Sequence, residues 1–202
     1  MAQPATDLVT TAAVKAFLNI PTATTTWDAF IESAIGIISA DFSAVLGRNA
    51  LAKTTYTAVY FDGNGEKDFY LPNAPVVSIT SLVEDGTTLT EGLTADYVLY
   101  AAEGRLHRIN GRWKEGPKTI LITYAAGYTV QGATLGTGET ALPEDLKFAA
   151  FQQLAIEWKH HQQQDWSEES RTFPDGSVSK KNDDIDPKVL RILRRHAVLG
   201  GA

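Results

Sequence analysis

LITYAAGYTV, residues 121–130, is the stretch on which the reading of this chain turns. It opens as a strand, Leu121-Ile122-Thr123-Tyr124, and stops on Ala125-Ala126-Gly127 before an aromatic, Tyr128. Gly127 tolerates positive φ, so the backbone can turn sharply there. Ala125 and Ala126 are small enough to let another segment approach. The same texture extends upstream to about Lys53. TTYTAVYF, KDFYL, VVSITSLVE, DYVLY, GRLHRI and KTILITY are short runs rich in β-branched and aromatic residues. Asp62-Gly63-Asn64-Gly65, Asp85-Gly86 and Asn110-Gly111 separate them, and such pairs suit two-residue hairpin turns. Residues 54–124 therefore predict an antiparallel β-unit of about six strands.

Helical patterns flank this unit. TTAAVKAFLNI, residues 10–20, predicts a short helix capped by Thr10 or Thr11, with Val14, Phe17 and Leu18 as its stripe. In residues 24–49 the apolar positions Trp27, Phe30, Ile31, Ala34, Ile35, Ile38, Phe42, Val45 and Leu46 recur at three- and four-residue steps. That predicts a long helix with Thr26 as N-cap and Gly47 just past its end. After the β-unit, Pro143 reads as the N1 residue of another helix, with Glu144 and Asp145 in its first turn and Lys159, His160 and His161 in its last. Phe148, Phe151, Ala155 and Trp158 share one side of it, and Leu154 lies next to them. With Trp27 and Phe30, these aromatic residues are the expected interface between the helical domain and the β-unit.

QQQDWSEESRTFPDGSVSKKNDD, residues 162–184, is polar and aperiodic and reads as a linker or arm. A last helix then begins at Asp186-Pro187, cap and N1, with Ile185 placed to staple onto Leu190. The fold class is α+β. Two N-terminal helices (1–52) and one returning helix (131–161) form a helical domain. An antiparallel β-unit (53–130) interrupts it, and an arm with a terminal helix (162–202) follows.

Composition narrows the function. The 202 residues include no cysteine, which excludes disulfides and thiolate-bound metals and suggests a reducing compartment. No apolar run approaches the roughly 18 residues that span a bilayer, and MAQPATDLVT lacks the basic start and apolar stretch of a signal peptide. A net charge of −6 argues against a broad DNA-binding face. DGNGEKD, residues 62–68, spaces Asp62, Asn64, Glu66 and Asp68 like the start of a calcium loop, but Lys67 and Asn73 stand where that loop needs Gly and Glu. A turn is the better reading. His160 and His161 are adjacent on a helix, so their side chains diverge by about 100° and do not share a metal. His107 and His196 stand alone in the sequence. A nucleophile elbow, a catalytic cysteine, a zincin helix and a phosphate loop are all missing. A glycosidase pair of carboxylates leaves no motif, and none stands out here. The expectation is a non-enzyme with no catalytic residue, cofactor or metal.

The terminal helix, KVLRILRRHAVLGG, sets Arg191, Arg194 and Arg195 beside Val189, Ile192 and Leu193. It reads as a docking helix on an arm, its stripe laid into a partner's groove and its arginines on carboxylates. A nucleic-acid contact, a membrane-surface helix and a return onto its own domain are the other readings.

Taken together, the pieces resemble a known family. "LVTTAAVKAFLNI" leads to a long helix ending in "VLGRN"; "YTAVYFDGNGEKDFYLPNAPVVSITSLVEDG" is followed by "DYVLYAAEGRLHRINGRWKEGPKTILITYAAGY" and "LPEDLKFAAFQQLAIEWKHH". This order is similar to the head–tail connector proteins, also called adaptors or head-completion proteins, of long-tailed bacteriophages, prophages and gene-transfer particles. The likeness covers residues 8–161 and rests on order and spacing; the arm from Gln162 onward departs from it. The resemblance implies a virion protein of the neck, made in the bacterial host cytoplasm. Family members form a ring, typically of twelve subunits, under the portal. The ring extends the DNA channel and meets the next connector or tail-completion protein. The helical part forms the ring, and portal contact is often made by the C-terminal segment.

The implied partners are the portal protein, neighbouring copies, the next neck component and DNA in passage, with no membrane. Pro187, Val189, Leu190, Arg191, Ile192, Leu193, Arg194 and Arg195 would then dock on the portal or a neighbouring subunit. Tyr124, Gly127 and Tyr128 would form the junction where the β-unit returns the chain to the helices. Another head- or tail-completion component and a non-viral binding module are the alternatives, with an enzyme last.

Overall fold

The computed structural model describes residues 7–163, 169–173, 176–180 and 185–196. The chain divides into two compact units: residues 8–46 with 143 onward, and residues 47–142.

The first unit is helical. It holds α1 (Thr11–Phe17), α2 (Asp28–Val45), α3 (Glu144–Gln163) and α4 (Pro187–His196). Thr10 caps α1, its side chain accepting the Ala13 N–H. α2 is preceded by Trp27, which makes no side-chain cap, so the expected Thr26 cap is absent; Gly47 does take the left-handed conformation past its end, with φ 65°. α2 buries Ile31, Ala34, Ile35, Ile38 and Phe42, the stripe set by its three- and four-residue spacing. Lys15 of α1 is almost wholly buried and pairs with Asp28 at the start of α2.

α3 turns a different side inward from the one expected. Leu146, Ala149, Ala150, Gln153 and Leu154 are buried, whereas Phe148 is 50% exposed. Two alanines on this side let the neighbouring helix come close, which the bulkier aromatic side would prevent. The aromatic residues instead meet one another within the helical unit. Phe17 stacks on Phe151 with ring centroids 5.1 Å apart, and Trp27 meets Trp158 edge-on at 5.4 Å. His161 lies flat on Phe30 at 3.9 Å, so this histidine has an aromatic role at the end of α3.

The second unit carries seven strands in two sheets, one strand more than expected. β1 (Thr54–Gly63), β7 (Gly116–Ala126), β3 (Val76–Glu84) and β4 (Thr87–Thr88) form one antiparallel sheet in the order β1-β7-β3-β4. β2 (Asp68–Tyr70), β6 (Arg105–Arg108) and β5 (Tyr97–Tyr100) form the other. Asp85-Gly86 makes the hairpin turn from β3 to β4, both residues at positive φ. Asp62–Gly65 and Asn110-Gly111, read as hairpin turns, instead carry the chain from one sheet to the other. Both sheets contribute to one core. β7 alternates buried Ile120, Ile122, Tyr124 and Ala126 with half-buried Leu121, Thr123 and Ala125, as a two-residue period requires. Phe69, Leu106 and Tyr97 come from the small sheet, and Trp113 joins them from the β6–β7 connection. The Trp113 indole N–H donates to Lys67 O at 3.1 Å and to Leu106 O at 3.3 Å, which satisfies its one polar atom inside the core.

The stretch expected as an unstructured arm contains a hairpin. β8 (Glu169–Phe173) and β9 (Gly176–Lys180) pair antiparallel, with Glu169 opposite Lys180 and Phe173 opposite Gly176. Such a ladder satisfies backbone groups without an alternating apolar face, so periodicity alone does not reveal it. α4 returns to its own unit and lies against α3 and α2. Among the described residues no helix is long and apolar enough to cross a membrane.

Burial separates two aromatic substitutions. Trp113→Ala should lower stability by about 3–5 kcal/mol, and Phe148→Ala by less than about 1 kcal/mol, in denaturant titration. Similar losses at the two positions would contradict this placement of the core.

Candidate functional site

The first candidate site is the ending of β7. Gly127 adopts φ 111°, and a Cβ there would stand 2.6 Å from Ala52 O and 2.9 Å from Leu51 O. Glycine is thus required twice, for the conformation and for the close approach of two backbones. The approach is fixed by a run of hydrogen bonds. Gly127 N–H donates to Pro75 O, Tyr128 N–H to Leu51 O, and Lys53 N–H to Tyr128 O, each at 2.8 Å. Tyr124, fully buried, stacks on Tyr56 at 5.0 Å, and its hydroxyl accepts the Asn73 amide at 3.2 Å. Burial pushes the Tyr124 phenol pKa up, against a smaller downward pull from the Asn73 bond. Asn73 Oδ1 in turn accepts the Asn49 N–H. Arg48 lies 5.7 Å from the Tyr128 ring centre and donates to Ala74 O.

The chain leaves the β-unit from the same place. Thr129 N–H donates to Thr140 O at 2.8 Å, and Leu142 N–H to Thr129 O at 3.0 Å. Glu139 accepts from the Lys53 ammonium at 2.5 Å, the Thr129 hydroxyl at 2.6 Å and the Gly136 N–H at 3.1 Å. The Lys53 bond first, then those from Thr129 and Gly136, hold its carboxyl down at about 2, against a small opposing desolvation. Residues 48–53, which enter the unit after α2, and residues 128–142, which leave it before α3, are thereby clasped together. Tyr124, Gly127 and Tyr128 all lie in this clasp, on the β-unit side of both chain crossings.

The second candidate, the DGNGEKD loop, is occupied by protein contacts. Asn64 bridges the Glu66 N–H and the Asp68 carbonyl, and Asp62 accepts the Lys118 N–H. Asp68 accepts from Arg105 and meets His107 Nδ1 at 2.8 Å, so His107 is paired in space. The His107 bond, against a lesser effect of desolvation, keeps the Asp68 carboxyl below its usual value, with Arg105 adding to it.

The third candidate, α4, is divided. Val189 and Leu193 are fully buried in the chain's own helical unit, and Leu190 and Ile192 are half-buried. Two of the three stripe residues assigned from sequence to a partner, Val189 and Leu193, are therefore covered here, where α4 lies against α3 and α2. Asp186 caps α4: its carbonyl accepts the Leu190 N–H and its carboxylate the Lys188 N–H at 2.7 Å. Two polar contacts hold the ends. Gln153 Oε1 accepts the Asp186 N–H at 3.0 Å, and Asp145 pairs with His196 Nε2 at 2.7 Å. Desolvation pushes the Asp145 carboxyl up, but the His196 bond and the Leu146 N–H bring it below its usual value overall. Pro187, Lys188, Arg191, Arg194 and Arg195 are exposed. Four cations thus share the outer surface of a ten-residue helix in a chain of net charge −6.

Gly127→Ala should destabilise the β-unit by roughly 3 kcal/mol or prevent its folding, since neither the φ nor the Ala52 backbone can yield. A loss under about 0.5 kcal/mol would show that the close approach is absent. Glu139 adds a pH signature. Its folded carboxyl lies below the ordinary 4.5, so its stabilisation is complete above that pH and disappears as pH falls toward about 2. The difference in unfolding temperature between the wild type and Glu139→Gln should shrink over that range. Parallel curves would show that the carboxylate holds nothing.

The sequence matches the head completion protein family over residues 7–199. No curated protein matches the chain. Among solved structures, the fold is similar to a chain from the neck of an empty GTA particle computed with C6 symmetry, at 21% identity and TM-score 0.53. It is similar to one from the virion of a native gene transfer agent (GTA) particle, at 20% and 0.55. A third, from the neck of a native GTA particle computed with C12 symmetry, gives 21% and 0.51. Each likeness covers 100% of this chain and 96% of the other. At these identities the likeness is one of fold. The family match spans nearly the whole sequence, on a fold in which a β-unit interrupts a helical unit: the chain belongs to the head completion protein family.

Proposed function

We propose that the chain is a structural adaptor of the neck in a phage-like or gene-transfer virion. Twelve copies close a ring under the portal, extend the DNA channel and offer a surface to the next neck or tail component. The protein carries out no catalytic step. The observation that carries this reading is the family match over residues 7–199, joined to a full-length likeness to chains from particles computed with C6 and C12 symmetry. The charge is compatible with it. A lumen that passes DNA works best without tight phosphate contacts, and a chain of net charge −6 supplies few.

The exposed cations of α4, held in place by its buried side, are the proposed contact with carboxylates of the portal. They add orientation and encounter rate more than affinity. Arg191→Ala/Arg194→Ala/Arg195→Ala should change the stability of the isolated chain by less than about 1 kcal/mol, because the side chains are exposed. The same variant should enter particles several-fold less well than wild type. Normal incorporation would remove the cationic surface from the docking role. The wider reading is tested by electron microscopy of purified particles with the chain tagged. Tag density in a twelve-fold collar at the head–tail junction is expected. Tag density over the capsid shell, or none in the particle, would overturn it.

A further inference from the structure

The connection between α3 and α4 is much longer than their contact needs. α4 runs antiparallel to α3, since its start meets Gln153 and its end meets Asp145. The start of α4 therefore lies ten residues, or about 15 Å, back along α3 from Gln163. About five extended residues would cover that distance. The sequence supplies 23, residues 164–186. Even with the β8–β9 hairpin kept intact, the eleven residues outside it reach up to about 36 Å, the width of a small domain.

α4 is also self-contained. It has its own cap in Asp186 and its own N1 proline, and its two fully buried side chains rest on α2 and α3. Nothing in that seat requires the helix to come from the same copy. An element that is complete in itself, on a connection longer than its local path, is exchangeable between identical subunits with every contact preserved. Exchange loses no burial, and in a closed ring it links each subunit to the next.

We infer that in the assembled ring α4 occupies the α2–α3 seat of the neighbouring copy. This rests on the ring reading above. Val189 and Leu193 then bury in the neighbour as they do here, the Asp145–His196 and Gln153–Asp186 contacts become contacts between subunits, and the four cations still face outward. The stripe that the sequence assigns to a partner and the burial seen within one chain become the same contact.

The chain has no cysteine, so the double variant Asp145→Cys/His196→Cys places its only two thiols across the seat. Full-length protein is assembled, its ring measured by mass photometry, and then treated with a short bis-maleimide and run on a denaturing gel. Most of the chain should run as a ladder of covalent dimers, trimers and larger species, while each single variant stays monomeric. A full-sized ring that yields only internally linked monomer overturns the exchange and leaves the ring standing. A chain that never assembles overturns both. Gln153→Cys/Asp186→Cys, read in the same way, decides the matter if losing the Asp145–His196 pair unfolds the first variant.

Discussion

The β-unit depends on one close approach, that of Gly127 to the backbone of Leu51 and Ala52. Because Gly127 has no side chain, the segment that follows α2 can run beside the end of β7 and exchange hydrogen bonds with it. Around that contact gather Tyr124 on Tyr56, Asn73 between Tyr124 and Asn49, and Glu139 between Lys53 and Thr129. These are the groups next to the two points where the chain passes to the helical unit. Backbone hydrogen bonds hold the entering and leaving segments together, and the missing side chain of Gly127 is what lets them form.

The helical unit solves a different problem. α3 is apolar on two sides, and both are used: small residues face the core, and large aromatic rings meet α1, the start of α2 and one another. α4 completes the core with Val189 and Leu193 and leaves its cations outside. A head completion protein must hold its fold and still offer attachment points. α4 is divided accordingly, into a buried apolar side that completes the core and an exposed basic side that is free to meet a partner under the proposed role.

Local signals were readable and pairings over distance were not. Asp85-Gly86 predicts a turn whose two strands are adjacent in sequence, and it is one. Asn110-Gly111 has the same chemistry, but its flanking strands belong to different sheets, and no local pattern records that. Asp186-Pro187 announced a helix start because capping is a matter of neighbouring residues. The inward side of α3 is not legible from hydrophobicity, because Phe148, Phe151 and Trp158 outweigh Ala149 and Ala150 there, whereas helix approach is decided by size. Of the clasp, Tyr124, Gly127 and Tyr128 stood out in the sequence. Glu139 and Asn73 did not, since a carboxylate and an amide in loops carry no signature of their partners.

Hydrogen exchange of the backbone amides tests the clasp most directly. The N–H groups of Lys53, Gly127, Tyr128, Thr129 and Leu142 all donate to backbone carbonyls in it. If the clasp closes the β-unit, these five amides should exchange as slowly as those of Ile120 and Ile122 in the core, opening only when the whole unit unfolds. Exchange at the rate of exposed loop amides, with the core still protected, would show a β-unit that stays folded with its base open and would contradict the account.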